Sequence, residues 1–259
     1  MATKYLNTNS FIVTIEARLG STRLPNKVLL PFGKVSAIEL LIERIKKSKY
    51  IKKIVVSTTT NKRDDKLVNI LEKKKIRYFR GSELNVLFRL VSLLKKNNEG
   101  SVIHLTADNP LIDHRVIDYV IDFYLSNLPM YDFVTTGNIY KKKKNFFPLG
   151  MGVSVFKRKK IEEVFRMAVN YEQLEHPMIT FYREGKNIFK SYSIPPIKKW
   201  KKKFLPRLTM DTVEDYTFLK TIYKNLNFNK FISLSEILDY LEKNKSLMKI
   251  NRKSSTKYN

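Results

Sequence analysis

The sequence predicts an α/β fold in which a mostly parallel sheet is covered by helices on both faces. Short apolar runs that are typical of buried strands alternate with segments whose apolar residues recur at helical spacing. The segments between successive strands are long enough for crossover helices, which makes neighbouring strands parallel. The chain has 259 residues, of which 43% are hydrophobic, so it can bury a sizeable core.

The regular alternation runs from residue 11 to about residue 137. The run FIVTI predicts the first strand, and KIVVSTT, IRYF, SVIHLT and YDFVTT predict the strands that follow. Between them the apolar residues form one stripe per segment, with charged residues off the stripe, as in amphipathic helices. The predicted helices cover residues 35–48, 62–75, 84–96 and 114–127.

After residue 137 the pattern becomes irregular. Further strands are predicted at MGVSVF, IFKSYSI and PRLTM, outside the simple alternation. Helices are predicted over residues 158–169, over about 171–184, and in DTVEDYTFLKTIYKNL and SLSEILDYLEK; the last begins with a capping-box pair, Ser233 and Glu236. We interpret the chain as a single domain, residues 1–259, with residues 138–205 as an insertion and residues 250–259 as a flexible tail.

The net charge of +26 has two explanations. A polyanionic partner, such as nucleic acid or an acidic membrane surface, would account for it. Compositional drift toward Lys, Asn and Ile would also account for it, because the lysines are scattered over every segment without interleaved aromatic residues. We favour drift and expect no specific nucleic-acid partner. The run KKKK at residues 141–144 is interpreted as a solvated loop.

The composition also bears on location. The absence of cysteine excludes disulfides and thiolate metal sites. The N-terminus, MATKYLNTNS, lacks the apolar core of a signal peptide, and no apolar run approaches the roughly 20 residues that span a bilayer. We therefore expect no membrane insertion and a cytoplasmic location.

The stretch EARLGSTRLPNKVLLPFGK places cations where the first strand ends. Ligands of parallel α/β sheets bind beyond the carboxyl ends of the strands, and Gly20 allows the backbone to approach a ligand closely. The hydroxyl and cationic donors are Ser21, Thr22, Arg18, Arg23 and Lys27. The stretch contains neither a Walker A loop nor a dinucleotide fingerprint. Its residues fit a phosphate site and, equally, a solvated basic loop.

Two carboxylates follow strands at the same predicted edge. Asp108 follows SVIHLT, and Asp211 follows PRLTM. Oxygen ligands of this kind suit Mg²⁺. Both segments also have a structural explanation, because Asp211 and Glu214 have helix-capping spacing and DNPLID is a good turn, with Asp113 as a plausible cap. From the residues alone, capping is the favoured explanation.

The first motif resembles the N-terminal signature of the sugar-acid cytidylyltransferases, which include the acylneuraminate and Kdo activating enzymes, and especially their spore-coat-polysaccharide branch. The resemblance continues through VVSTTTN, FRGSELNVLFRL, LTADNPLID, EHPMITFY and RLTMDTVEDY, and covers most of the chain from about residue 11 to 220. It implies a three-layer α/β/α fold of the nucleotide-diphospho-sugar-transferase (Rossmann-like) type. The inserted segment would serve the sugar side and dimerisation.

The resemblance also implies a reaction. A sugar hydroxyl would attack the α-phosphorus of CTP with Mg²⁺ assistance, releasing pyrophosphate and forming a CMP-sugar for a surface polysaccharide. The sugar would be acidic, and the protein a homodimer. By the same resemblance, the nucleotide would be held by Ala17, Arg18, Gly20, Ser21, Arg23, Lys27, Thr58, Arg80 and Gly81. Catalysis would depend on Arg18, Lys27 and Asp108, and the metal on Asp108 and Asp211.

Departures from the family pattern keep alternatives open. Glu16 stands where relatives usually have a neutral residue, so it could pair with a neighbouring arginine or join the metal shell. Further departures are Asn26, Ala107 and Val213. The alternatives are another nucleotidyltransferase or a glycosyltransferase on the same fold, or a nucleotide- or polyanion-binding protein without catalysis.

Other ionisable residues are given structural explanations. His104 is interpreted as a core or interface residue, and His176 as part of helix packing near the sugar or dimer side. Asp64 and Asp65 are expected to favour a helix N-terminus electrostatically.

Overall fold

The computed structural model describes residues 11–139, 146–252 and 254. The lysines at 141–144, which are interpreted as a solvated loop, lie outside the described residues. The strands are β1 (Phe11–Glu16), β2 (Pro31–Phe32), β3 (Val35–Ser36), β4 (Lys53–Thr59), β5 (Arg77–Gly81), β6 (Ser101–Thr106), β7 (Phe133–Thr135), β8 (Ser154–Lys157) and β9 (Ser191–Ser193). The helices are α1 (Ala37–Ile45), α2 (Asp65–Lys73), α3 (Val86–Lys95), α4 (His114–Ser126), α5 (Lys160–Met167), α6 (Tyr171–Glu175), α7 (Ile179–Tyr182), α8 (Val213–Asn225) and α9 (Leu234–Lys243).

Seven of these strands form one mixed, mostly parallel sheet, which confirms the predicted fold class. The strand order is β5-β4-β1-β6-β8-β7-β9, and β8 runs antiparallel to both of its neighbours. The remaining pairs in the sheet are parallel. Strands β2 and β3 form a separate antiparallel pair that leads into α1.

The sheet separates two cores, because successive side chains of a strand point to opposite faces. In β1, Val13 and Ile15 belong to the core that α1, α2, α4, α8 and α9 cover, whereas Ile12 belongs to the core of α3, α5 and α7. The result is three layers. Both predicted caps are present, since Asp113 accepts from Arg115 N at 3.0 Å and Ser233 forms a capping box with Glu236.

A buried arginine ties α1 to two loops. Arg44 is 1% exposed and donates to four backbone carbonyls. The acceptors are Leu111, Ile112, Lys230 and Ile232, at 2.6 to 3.0 Å. Burial lowers the pKa of Arg44 to about 10, which leaves the guanidinium charged at neutral pH. The loop after β6, which contains the predicted metal residue Asp108, is therefore fixed from behind.

The structure corrects several element predictions. PRLTM is not a strand, because its backbone makes only one bridge, between Leu149 and Arg207. The predicted helix over 171–184 is two short helices, since a residue before proline avoids helical torsions and Pro177 interrupts the segment. Asn251, which was assigned to a flexible tail, is 3% exposed. Residues 253 and 255–259 of that tail lie outside the described residues.

Candidate active site

A cleft of about 880 Å³ opens at the carboxyl ends of β1 and β6. One wall is the loop that follows β1, and the other includes residues 175–179, where the inserted segment turns from α6 to α7. Of the predicted nucleotide or metal residues, those that line the cleft are Ala17, Arg18, Gly20, Ser21, Arg23, Lys27, Asp108 and Asp211. Segments far apart in sequence thus meet at one edge of the sheet.

Lys27 lies between the two predicted metal residues. Its Nζ donates to Asp108 Oδ2 at 3.2 Å and to Asp211 Oδ1 at 2.9 Å. Burial alone would lower the pKa of Lys27, but the two carboxylates outweigh it, and the pKa is raised. The ammonium is therefore charged, and its position shows that this part of the cleft accommodates a cation between two carboxylates.

Asp211 faces the cleft and does not cap α8. The cap is Thr212, whose Oγ1 accepts from the Asp215 backbone N–H while Asp215 Oδ2 accepts from Thr212 N. The Asp211 carboxylate is instead bound by Lys27 and by a short contact to Arg207. Burial alone would raise the pKa of Asp211, but Lys27, Arg207 and Arg23 together lower it. The capping explanation for Asp211 is wrong.

Asp108 is fixed by the strand end that precedes it. Thr106 Oγ1 donates to Asp108 Oδ1 at 2.6 Å, and Asn109 Nδ2 supports that hydroxyl at 2.9 Å. The Met210 N–H donates to the Asp108 carbonyl at 2.8 Å, which joins the segments of the two aspartates. The segments that carry the two carboxylates are therefore held next to each other.

The two carboxylates fit a Mg²⁺ ion that also binds phosphates. Within the described ranges, no group of three or more Asp, Glu, His or Cys side chains is placed to hold a metal ion alone. Mg²⁺ commonly takes one or two carboxylates and completes its shell with water and substrate phosphates. Asp108 and Asp211 supply hard oxygen ligands, and Lys27 already demonstrates a cation between them.

The loop after β1 is held open by local contacts. The Ala17 N–H donates to Ser57 O at 3.0 Å, and Ser21 Oγ accepts from Leu24 N at 3.3 Å. Asn26 has φ 56°, a left-handed conformation that Gly and Asn tolerate, which explains why asparagine is acceptable at this departure from the family pattern. Arg18 reaches across the cleft to Glu175 at 3.7 Å.

Glu16 pairs with an arginine that the sequence analysis did not single out. Arg89 Nη2 donates to Glu16 Oε2 at 2.7 Å, and Arg89 Nε also contacts Ser57 Oγ at 3.1 Å. Arg89 further donates to the Ser82 carbonyl. The pair is largely buried, so the negative charge of Glu16 is compensated beside the cleft. Of the two open explanations for Glu16, pairing with an arginine is the one observed.

Three predicted nucleotide residues are not among the described residues that line the cleft. Thr58 is fully buried. Arg80 donates to Thr59 O and Asn61 O and pairs with Asp65. Gly81 packs against Arg89, whose Cγ would lie 2.8 Å from an added Cβ. Their role in nucleotide binding stays a prediction.

Two residues support the site from behind in ways that the sequence did not indicate. Asp64 stands at the N-terminus of α2, where it was expected, but its Oδ1 accepts from Leu19 N at 2.7 Å and so anchors the loop after β1. Arg207 binds Asp211 and Asp215 together. The burial of both residues depends on contacts distant in sequence, so no local pattern indicates them.

The two histidines named in the sequence analysis both line the cleft. His104 is mostly buried, its Nδ1 lies 3.2 Å from Thr14 Oγ1, and burial lowers its pKa. His176 lies between α6 and α7.

An α/β sheet with a cation-rich loop and two carboxylates at its carboxyl edge defines a protein that binds nucleotide phosphates. Comparison with known proteins is more specific. The family model described as "Cytidylyltransferase" matches residues 12–250, and the chain belongs to the cytidylyltransferase family.

Individual relatives agree with this assignment. MJ1063 of Methanocaldococcus jannaschii, an uncharacterized protein, is 34% identical over 237 residues, which cover 92% of each chain. The spore coat polysaccharide biosynthesis protein SpsF of Bacillus subtilis is 28% identical and covers 91% of this chain and 95% of its own length. The solved structure of a cytidylyltransferase from Leptospira borgpetersenii has a TM-score of 0.83 at 31% identity and covers 93% of this chain and 97% of its own.

These comparisons confirm the predicted family and the prediction of a CTP-using nucleotidyltransferase. In the part of the chain that the structure describes, none of the helices has both the length and the apolar character that crossing a bilayer requires. The cytoplasmic location stays a prediction.

Proposed function

We propose that the protein transfers CMP from CTP to a hydroxyl of an acidic sugar and releases pyrophosphate. The observation that supports this most strongly is the meeting of Lys27, Arg23, Asp108 and Asp211 within 2.9 to 3.6 Å at one edge of the sheet. Such a group can bind a polyphosphate and a divalent cation side by side. In this arrangement Lys27 bridges the two carboxylates and lies in the same cleft as the proposed phosphate-binding loop.

In the proposed reaction, an oxygen of the sugar forms a bond to the α-phosphorus and releases its proton to water. The bond from that phosphorus to the bridging oxygen of the β-phosphate breaks, and pyrophosphate leaves with the bonding electrons. Lys27 and Arg23 would neutralise the charge that grows on the leaving group, and Arg18 would bind the phosphate chain at the cleft mouth. Ser21 and the backbone near Gly20 would orient it.

Asp108 and Asp211 would hold Mg²⁺. When bound, the ion supplies charge neutralisation at the phosphate oxygens. The carboxylates are suited to this role because each keeps a fixed direction through its own contacts, Thr106 for Asp108 and Arg207 for Asp211.

The proposal extends to the nature of the sugar and to its use. The family resemblance implies an acidic sugar, and the net charge of +26, although attributed to compositional drift, is compatible with one. The name of the SpsF relative, a spore coat polysaccharide biosynthesis protein, suggests a surface polysaccharide as the destination. A homodimer through residues 138–205 is part of the same proposal, because that segment exposes Val169 and Ile188 at its surface.

Pyrophosphate release tests the proposal. The purified protein is incubated with Mg²⁺, one of the four nucleoside triphosphates, and a panel of acidic and neutral sugars. We expect release only with CTP and a sugar, with acidic sugars preferred, and loss of release in Asp108→Asn. Release with a neutral sugar alone would contradict the acidic substrate, and CTP binding without release with any sugar would favour a binding protein.

A further inference from the structure

A chain of buried polar side chains lies directly behind Asp211. Arg207 donates from Nη2 to Asp211 Oδ2 in a short hydrogen bond. It also donates from Nε to Asp215 Oδ1 at 3.1 Å. Asn251 donates from Nδ2 both to Asp215 Oδ1 and to Arg207 O, each at 3.0 Å. The chain therefore runs from the cleft to the C-terminal segment of the protein.

Burial makes these contacts strong and directional. The side chain of Arg207 is 5% exposed and that of Asp215 is fully buried. Charged hydrogen bonds in such surroundings are not screened by water, and loss of one partner leaves a buried charge uncompensated. Each member therefore fixes the orientation of the next.

Asp215 controls Asp211 in two ways. Its Oδ2 accepts from the backbone N–H of Asp211 at 3.0 Å, which fixes the main chain. Its other carboxylate oxygen binds Arg207, whose guanidinium fixes the Asp211 carboxylate. The capping-box aspartate of α8 thus also orients the residue that faces the cleft.

We propose that Arg207, backed by Asp215 and Asn251, is a positioning residue for Asp211, and that the C-terminal segment around Asn251 is thereby part of the active-site machinery. The inference rests on the proposed function, because Asp211 matters there as a metal ligand. It gives Asn251 a role that neither the family motifs nor the prediction of a flexible tail assigns. Outer residues that orient metal ligands typically change metal affinity by roughly 10- to 100-fold when they are replaced.

The test measures Mn²⁺ binding by electron paramagnetic resonance in the presence of α,β-methylene-CTP, which occupies the cleft without reacting. We expect Arg207→Met to weaken Mn²⁺ binding by roughly 10- to 100-fold. Asn251→Ala, one step further away, should weaken it by a smaller factor of at least about threefold. Arg207→Lys should restore part of the affinity, because an ammonium can bind one of the two carboxylates.

Asn244→Ala is the matched control. Asn244 lies in the same C-terminal region, and its Nδ2 donates to Tyr240 O at 2.8 Å. It has no contact with the Asp215 chain among the hydrogen bonds of the described residues. We expect Asn244→Ala to lower the melting temperature as Asn251→Ala does, while Mn²⁺ affinity stays at the wild-type value.

Three results would overturn the proposal or its basis. Wild-type Mn²⁺ affinity in a folded Arg207→Met variant would show that the chain is only structural. If that variant does not fold, unchanged affinity in Asn251→Ala contradicts the role of the C-terminal segment. Absence of Mn²⁺ binding in the wild-type protein would refute the proposed function and this inference with it. The first two results, with binding intact in the wild type, would refute only the inference, so the two failures are distinguishable.

Discussion

Lys27 is the residue at which the phosphate-binding loop and the two carboxylates meet. Its ammonium contacts both aspartates, and it is predicted to turn to the phosphates when a nucleotide binds. A single residue then neutralises the carboxylates in one state and the triphosphate in the other. Lys27 is the first residue of a short helical turn, Lys27–Leu29, and this position places it for both roles.

Replacement of Lys27 tests this dual role. We expect Lys27→Met to weaken CTP binding, measured calorimetrically with Mg²⁺, between roughly tenfold and a hundredfold, because one charged hydrogen bond to phosphate is lost. Lys53→Met is the control, since Lys53 pairs with Glu99 at 2.7 Å outside the cleft lining. Unchanged CTP affinity in Lys27→Met would show that the lysine has only a structural role.

We expect Asp211 to contribute to the loss of folding stability at acidic pH. Its pKa is lowered from the ordinary 3.8, because the nearby cations outweigh burial. Because the pKa of Asp211 is lower in the folded protein than in the unfolded chain, the ionised carboxylate stabilises the fold at pH values above the unfolded-state pKa. That contribution is lost as the pH falls through the folded-state pKa. The free energy of unfolding should therefore fall more steeply below about pH 4 in the wild type than in Asp211→Asn.

Urea unfolding at a series of pH values measures this difference. Asp239→Asn is the control, because Asp239 pairs with Lys202 at the exposed surface and should leave the acid limb unchanged. Parallel pH dependence in the wild type and Asp211→Asn would contradict the electrostatic description of the site.

At the scale of elements, the loop after β6 depends on α1. Arg44 donates to the carbonyls of Leu111 and Ile112, which follow Asp108 in the same loop, and to the segment before α9. A helix that contributes no side chain to the cleft lining therefore holds one wall of the site.

Loss of this guanidinium should be costly. We expect Arg44→Met to lower the free energy of unfolding by about 3 to 5 kcal/mol, because several buried carbonyls lose their donor. Urea unfolding measures this loss. The reference is Lys46→Met, an exposed change at the residue that directly follows the same helix. A loss below about 1 kcal/mol would mean that water replaces the arginine.

Some strands and helices could be predicted from the sequence and others could not. The strands β1, β4, β5 and β6 and helices α1 to α4 have strong local periodicity, and each was placed within a few residues. The insertion of β8 between β6 and β7 was not predictable locally, because strand partners are chosen by long-range pairing. PRLTM has strand-like composition but lacks neighbouring strands to complete a ladder.

For the whole molecule, the meeting of the first motif with Asp108 was predictable, because β1 and β6 are parallel and their carboxyl ends lie at one edge. Asp211 reaches the same edge although the strand predicted before it does not form, and the hydrogen bond from Met210 N to Asp108 O holds it there.

The supporting residues were not predictable. Asp64, Arg89 and Arg207 look in sequence like ordinary charges in a highly charged chain, and their burial is set by tertiary packing. The partner of Glu16 could not be predicted from the sequence either, because Arg89 lies 73 positions away.

We propose that the cations after β1 and the carboxylates of Asp108 and Asp211 form one site for CTP and Mg²⁺. A thermal-shift series with CTP, UTP, GTP and ATP, each with and without Mg²⁺, shows whether they do. Saturation at about 100 times Kd adds roughly 2.7 kcal/mol of stability, which corresponds to a rise of several degrees in melting temperature. We expect this rise for CTP with Mg²⁺, a smaller one without the metal, and none of that size in Asp108→Asn. Equal shifts for all four nucleotides, or a CTP shift unaffected by both Mg²⁺ and Asp108→Asn, would contradict the proposal.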